Sequence, residues 1–297
     1  MQPALSPSRA ADFLQCPLLY RFRVVDRLPE PTSAAAARGS LVHAVLERLF
    51  DLPAAERTLL AATGLVPQEW ARMVEEEPHL AEVLAVTLDP EPATAVPRTP
   101  VATPHDDWFA AASALVERWF TLEDPTLLEP VERELYVEAK VGDLTIRGYV
   151  DRLDEAPDGR LRIVDYKTGR APSETFESRA LFQLRFYALA LWRSRGVLPS
   201  RLQLVYLRDG QKLWIDPTEC DLLATERKIR ALWSAIDLAA REGDWRPRRS
   251  HACTWCAHRT LCPAWGGTPP PLPADAYVRA VDPRRAGHTD PRAADTE

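Results

Sequence analysis

Residues 161–169 read LRIVDYKTG, and residues 144–151 read LTIRGYVD. Each is an apolar-rich run that reaches a carboxylate, Asp165 in the first and Asp151 in the second. Runs of this composition, with alternating polarity, form strands. Pro157, Asp158 and Gly159 supply a turn between them, so neighbouring hairpin strands can bring the two carboxylates together. Side chains alternate across a strand, which puts Asp165 and Lys167 on one face and Val164 and Tyr166 on the other.

Flanking segments extend this pair into a mixed α/β core. Strand-like alternation covers Val131 to Ala139, Leu144 to Leu153 and Leu161 to Tyr166. A helix is expected from about Ser178 to Arg193, then strands Leu202 to Leu207 and Lys212 to Ile215, then a helix from Pro217 to Arg241. Upstream, Ser6 followed by Pro7 is a helix start, and Ala10, Phe13, Leu14 and Leu18 recur at helical spacing. That helix carries Cys16 to Pro17, where it should kink or end. A second helix, about Ala36 to Phe50, has an apolar stripe of Leu41, Val45, Leu46 and Leu49, and carries His43 and Glu47 on one face. Thr58 to Thr121 is helical in pieces, broken by a proline-rich loop from Asp89 to Pro104. Trp108, Ala111, Leu115, Val116 and Trp119 mark a further amphipathic helix. Beyond Trp265 the periodic apolar content fades, and residues 266–297 are expected to be a disordered tail.

A chain of 297 residues with 46% hydrophobic and 27% charged residues can bury a substantial core. One elaborated domain over residues 1–265 is expected: a helical part (1–125), an α/β core (126–245) and a cysteine-rich segment (246–265). No apolar run approaches the roughly 20 residues needed to span a bilayer. The first residues lack the basic-then-apolar pattern of an export signal, so the expected location is cytoplasmic. The formal charge of −6 repels nucleic acid in bulk, and DNA contact would rely on bound cations and local basic patches. Two such patches are Arg9, Arg21, Arg23 and Arg27, and the run from Arg241 through Arg246, Arg248, Arg249, His251, His258 and Arg259. Ordinary solvated surfaces would look the same.

Two carboxylates and a backbone carbonyl suffice to hold Mg²⁺ or Mn²⁺, hard cations that take oxygen ligands and keep several waters. Asp151, Asp165 and the Tyr166 carbonyl are the candidates, with Lys167 placed to orient a water or stabilise charge on a phosphate. The competing assignment makes these residues surface ion pairs, Asp151 with Arg152 or Arg147 and Asp165 with Lys167.

The order of features separates the two: Gly39-x-x-x-His43, then Gly148-Tyr149-Val150-Asp151, then Asp165-Tyr166-Lys167-Thr168-Gly169, then Gln183-x-x-x-Tyr187. This series resembles the RecB-like branch of the PD-(D/E)xK nuclease superfamily over most of the chain from Leu5 to Trp265. The resemblance implies a restriction-endonuclease-like fold, a mixed central sheet flanked by helices. It implies metal ligation by His43, Asp151 and Asp165, a catalytic Lys167, and Gln183 and Tyr187 beside the site. It also implies an acidic residue on the first core strand, where Glu132 and Glu134 are both available. The implied activity is metal-dependent hydrolysis of DNA, as an exonuclease on single strands or ends, in repair or recombination. A catalytically silent DNA-binding subunit of a helicase-nuclease complex is the alternative, and a zinc-stabilised RNA-binding protein a third possibility. The chain has no Gly-x-x-x-x-Gly-Lys-Ser/Thr phosphate loop, so a helicase motor would be a separate partner.

Five cysteines occur, and three are close together as Cys253-x-x-Cys256 and Cys262. Thiols so spaced suggest a metal or cluster rather than disulfides in a reducing compartment. An iron-sulfur-containing subgroup of the RecB-like family, which includes the AddB nuclease domain and certain CRISPR-adaptation nucleases, has a similar layout. By that likeness Cys16 joins Cys253, Cys256 and Cys262 around a 4Fe-4S cluster that ties the two ends of the chain together. A tetrahedral zinc site is the generic alternative. Cys220 is expected to be a buried bystander. The same tie would merge the two arginine patches, with Trp255 and Phe22 as candidates for stacking on bases.

Overall fold

A computed structural model describes residues 2–85, 104–171 and 177–282. Its centre is a six-stranded mixed sheet. The strands are β1 (Ala4–Leu5), β2 (Glu132–Val141), β3 (Leu144–Glu155), β4 (Leu161–Lys167), β5 (Arg201–Tyr206) and β6 (Gln211–Ile215). β2 pairs antiparallel with β3 along one edge. The other edge of β3 is shared: β1 pairs parallel at Thr145 and Ile146, and β4 antiparallel at Arg152 to Glu155. β5 runs parallel to β4, and β6 closes the sheet antiparallel to β5. Parallel pairing of β4 with β5 needs a crossover, which the helix between them supplies.

The helices are α1 (Pro7–Gln15), α2 (Pro17–Tyr20), α3 (Ala34–Leu49), α4 (Leu59–Glu76), α5 (Ala81–Ala85), α6 (Pro104–Phe120), α7 (Glu177–Arg195), α8 (Glu219–Glu242) and α9 (Ala276–Val281). Ser6 caps α1 by accepting the Arg9 N–H, and the helix stops at Cys16, whose backbone is extended ahead of Pro17. Thr218 and Asp221 form a reciprocal capping box at the start of α8, and Gly243 ends that helix in the left-handed conformation.

The strand alternation reads directly as two cores. Ile163, Leu204 and Ile146 pack with Phe13, Phe186, Leu189 and Ile229 beneath α1, α7 and α8. Their neighbours Val164, Tyr166 and Val205 pack on the opposite side with Leu41, Leu46, Trp70 and Trp119 of α3, α4 and α6. Both faces of the central strands are thus covered, as a restriction-endonuclease-like mixed sheet requires. Each fully buried Leu, Ile or Phe contributes about 1.5–3 kcal/mol.

Two expectations are corrected. The tail is ordered at least as far as Asp282: α9 buries Ala280 and Val281, Tyr20 donates its hydroxyl to the Ala280 carbonyl at 2.7 Å, and Asp282 Oδ2 accepts the Gln2 N–H at 3.0 Å. The helix is six residues long, too short a run for periodicity to reveal. Cys220 is exposed rather than buried. It sits in the first turn of α8, on the outer side of the helix from the buried Leu222. The proline-rich loop from Asp89 lies outside the described residues, apart from Pro104, which begins α6.

Candidate active site

The site lies where β3 and β4 part. Their pairing runs from Glu155 opposite Leu161 to Arg152 opposite Val164, and one further step would oppose Asp151 and Asp165. Instead Asp151 Oδ2 accepts the Tyr166 backbone N–H at 2.8 Å. The N–H and C=O of a strand residue leave by the same edge, so the Tyr166 carbonyl faces the fork as well. β1 engages β3 only at Thr145 and Ile146, which leaves Arg147 to Asp151 with no strand partner on this edge.

On the opposite edge of β3, pairing skips Glu134: Arg133 opposes Arg152 and Leu135 opposes Val150. Glu134 has φ 45°, a left-handed conformation that costs a non-glycine residue about 1–2 kcal/mol. The distortion accompanies a specific placement. His43, Glu134 and Asp151 each offer a ligand atom within 4.8 Å of the others, the one such group of metal-binding side chains among the described residues. Glu132, the other acidic residue considered for this strand, faces Arg195 at 3.6 Å instead. Strand periodicity could not choose between Glu132 and Glu134, because the choice depends on a local backbone distortion.

His43 Nδ1 lies 3.3 Å from Asp151 Oδ2. Burial disfavours the charged imidazole, but the Asp151 carboxylate beside it outweighs burial and raises the His43 pKa. Burial likewise opposes ionisation of Asp151, and His43 together with the Tyr166 N–H outweighs it, holding that carboxyl below its ordinary range. Asp165 behaves oppositely. At 1% exposure, burial first and the Asp151 charge next push its pKa up to about 6, against the opposing pull of Lys167.

Lys167 Nζ lies 2.6 Å from Asp165 Oδ2 and donates to Gln183 Oε1 at 3.0 Å. Gln183 Nε2 in turn donates to Asp165 Oδ1 at 3.1 Å and to the Tyr187 hydroxyl at 2.9 Å. Burial would lower the Lys167 pKa, yet Asp165 reverses the shift, so the ammonium stays charged. One amide thereby fixes acid, amine and phenol on the single face that strand and helix spacing foretold. Two motif glycines make the approach possible. A Cβ on Gly148 would stand 2.5 Å from Tyr187 Cε1 and 3.3 Å from Pro7 Cδ, and one on Gly39 would stand 3.2 Å from Thr168 Oγ1.

Behind the fork, on the other face of the sheet, Arg152 is 1% exposed and anchors a buried network. It bonds both oxygens of Glu123 at 2.8 and 3.0 Å and pairs with Asp154 at 2.9 Å. It also donates to the Tyr166 hydroxyl, and Trp119 Nε1 donates to Glu123 at 2.8 Å. The residues flanking Asp151 and Asp165 are therefore held from behind. Arg152 is committed to Glu123 and Asp154 and so does not pair with Asp151; Asp165 does pair with Lys167, as the competing assignment had it, but Asp165 is buried and Lys167 half-buried, so this is not an exposed surface pair.

The donor set of one imidazole and two carboxylates suits a divalent cation, with the Tyr166 carbonyl on the same fork. Asp165 does not join that set within 4.8 Å; it is engaged with Lys167 and Gln183, and its buried Oδ2 has no aligned hydrogen-bond donor despite the nearby ammonium. An acceptor so placed has capacity left for a cation.

Cys16, Cys253, Cys256 and Cys262 line one cavity, with Leu18, Phe22 and Trp265 among its walls. The Arg248 N–H points to Cys16 Sγ at 3.3 Å and the Ser250 N–H to Cys253 Sγ at 3.4 Å. Gly267 packs so tightly on this loop that a Cβ there would stand 2.1 Å from the Thr260 carbonyl.

The two basic segments meet, with Arg248 donating to the Leu14 carbonyl and Glu30 bridging Arg23 and His258, but acids neutralise part of the surface expected there: Arg21 is buried against Asp26, and Arg23 is bound by Asp12 and Glu30. Phe22 is 2% exposed and packs edge-on against His258, which removes it as a base-stacking candidate. Trp255, at 71% exposure, remains.

With a mixed sheet forked at paired acids and a half-buried lysine beside them, the architecture defines a class of nucleases. The sequence profile of the PD-(D/E)XK nuclease superfamily matches residues 4–263, and the chain belongs to that superfamily. It is similar to the Gene 69 protein of Mycobacterium phage D29, 27% identical over 224 residues that span 66% of this chain and 71% of the phage protein. Its fold is similar to that of a protein from Eubacterium rectale described as a "Putative exonuclease", with a TM-score of 0.51, 12% identity and 92% of each chain covered. No helix among the described residues is long and apolar enough to cross a membrane.

Proposed function

We propose that this chain is a Mg²⁺- or Mn²⁺-dependent deoxyribonuclease of the RecB-like, iron-sulfur-containing subgroup, acting as an exonuclease on single-stranded DNA or DNA ends in repair or recombination. The observation that carries the proposal is the pairing, at one strand fork, of the His43, Glu134 and Asp151 donor set with the Asp165, Lys167, Gln183 and Tyr187 chain. His43, Glu134, Asp151 and the Tyr166 carbonyl would hold the cation, with Asp165 bordering it. When bound, a divalent cation supplies Lewis acidity toward the scissile phosphodiester and the attacking water. Lys167 remains an ammonium and stabilises charge gathering on the phosphate oxygens. Gln183 keeps Lys167 and Asp165 in register with each other, and Tyr187 bounds the pocket above Gly148. A silent scaffold would have no chemical need for a buried Asp165 held against a half-buried Lys167, since burial disfavours both charges.

Cys16, Cys253, Cys256 and Cys262 are the proposed ligands of a 4Fe-4S cluster. Among the described residues no three of these sulfurs lie within 4.8 Å of one another, whereas tetrahedral Zn–S bonds put ligand sulfurs about 3.8 Å apart. Thiols that surround a shared cavity at wider spacing favour a multi-atom cluster over a single zinc ion. Residues 1–265 would then act as one nuclease domain whose ends the cluster joins.

End-labelled single- and double-stranded DNA, incubated with Mg²⁺ or Mn²⁺, should be digested by the wild type and left intact by Asp165→Ala and Lys167→Ala. Undiminished digestion by both variants would refute the site. Anaerobically purified protein should be brown, and Cys16→Ser should lose that colour; colourless protein with stoichiometric zinc would refute the cluster.

A further inference from the structure

From Trp245 to Ala274 the chain contains no aspartate or glutamate and four arginines, in a protein whose net charge is −6. Only Arg246 has a carboxylate partner, Asp244. Arg248, Arg249 and Arg259 are exposed, and among the described residues none has a carboxylate within ion-pair distance. Arg248 donates to the Leu14 carbonyl at 2.6 Å and Arg249 to the Ala264 carbonyl. Those bonds orient the guanidinium groups and leave their charge uncompensated.

The aromatic residues of this segment divide into two uses. Trp265 lies under two of the cations, with Arg249 at 4.7 Å and Arg259 at 4.0 Å from its ring centre. Such stacking holds long side chains in place at low entropic cost. Trp255 is 71% exposed and touches one other ring, His251, edge-on at 4.7 Å. Its ring is therefore open to solvent on a segment where Arg248, Arg249 and Arg259 have no carboxylate partner among the described residues. Unpaired cations and an open aromatic ring carried on one short segment are the chemistry that binds single-stranded nucleic acid: guanidinium groups take phosphates and the ring takes a base.

We infer that Trp255, together with Arg248, Arg249 and Arg259 of the same segment, forms a docking surface for a single strand of DNA outside the catalytic fork. The choice of DNA rests on the nuclease function proposed above. The surface adds affinity and leaves the chemistry at Lys167 untouched. It also gives an acidic protein a local positive field whose rigidity comes from the cysteine cavity behind it.

The test uses the full chain, purified anaerobically in a Lys167→Ala background so that strands are bound and not cut. Fluorescence anisotropy is read with a labelled single-stranded DNA of about 20 nucleotides, longer than a typical single-strand site, and with the matching RNA. Trp255→Ala should weaken DNA binding about tenfold and Trp255→Phe should restore most of it. Arg249→Gln with Arg259→Gln should lower the salt dependence, the slope of log Kd against log salt, by roughly 1 to 1.5. Visible absorbance is recorded for every variant, and the arginine pair serves as the test if Trp255→Ala loses its absorbance. Unchanged affinity and slope in variants of wild-type absorbance would overturn the surface, and so would tighter binding of RNA than DNA. A wild type that binds DNA through these residues but never cleaves it would overturn the nuclease proposal and leave the surface standing.

Discussion

The Tyr166 backbone N–H donates to the Asp151 side chain at 2.8 Å, where a regular ladder would offer it a backbone carbonyl. One carboxylate therefore holds the fork open and faces the proposed cation. Its charge and its hydrogen bond can be separated by substitution.

Asp151→Asn keeps an acceptor for the Tyr166 N–H and removes the charge, whereas Asp151→Ala removes both. Asn should fold with stability near wild type. Ala leaves a buried N–H unsatisfied and should cost about 1–3 kcal/mol. Both should lose Mn²⁺ binding and DNA cleavage. Urea denaturation beside isothermal titration with Mn²⁺ separates the effects, and equal stabilities for Asn and Ala would show that the bond does not hold the fork.

The raised pKa of Asp165, about 6, has a defined sign. A carboxyl whose pKa is higher folded than unfolded contributes stability fully below the unfolded value, and that contribution is lost as pH rises through the folded value. Without divalent cations, stability should thus fall between about pH 4 and 6 from this group, and Asp165→Asn should remove that slope. Cation binding next to Asp165 favours its ionised form and must displace a proton from it below about pH 6. His43, whose pKa is also raised, adds to the same trend. Mn²⁺ affinity should therefore weaken by at least about tenfold per pH unit below 6, and a flat profile from pH 5 to 7 would contradict the assignment.

Gln183 bonds to Asp165, Lys167 and Tyr187, so its removal disturbs three groups while touching no phosphate. Gln183→Ala should lower kcat by about 10- to 100-fold, as loss of an orienting partner commonly does, with KM for DNA little changed. Tyr187→Phe, which removes one hydroxyl and keeps the ring over Gly148, should retain more activity than Gln183→Ala. Steady-state cleavage of a labelled strand measures both, and a reversed order would make Tyr187 the more important group.

Much of this site was legible in sequence because it rests on periodicity. Strand alternation placed Asp165 and Lys167 on one face, helical spacing placed Gln183 and Tyr187 four apart, and turn residues at 157–159 placed β3 against β4. Glu134 was not resolved, since its selection over Glu132 depends on a positive φ that no pattern encodes. The arginine patches were legible only in part, for a related reason. Composition counts charges, but whether Arg23 is free depends on Asp12 and Glu30 folding onto it. The Arg152–Glu123 network went unseen because its partners are far apart in the chain and meet only across a buried sheet face.

Glu134 supplies the last prediction. Its φ of 45° is strained for any residue with a Cβ and ordinary for glycine. Glu134→Gly relieves the strain and Glu134→Ala keeps it, so Gly should be the more stable of the two by about 1 kcal/mol, after its greater unfolded-state entropy is counted. Both lack the carboxylate that stands within 4.8 Å of His43 and Asp151 and should bind Mn²⁺ more weakly. A protein that gains stability and loses cation affinity through one glycine would show that the backbone is strained in order to present this ligand. If Ala is the more stable, the left-handed conformation carries no strain, and Glu134 owes its position to packing alone.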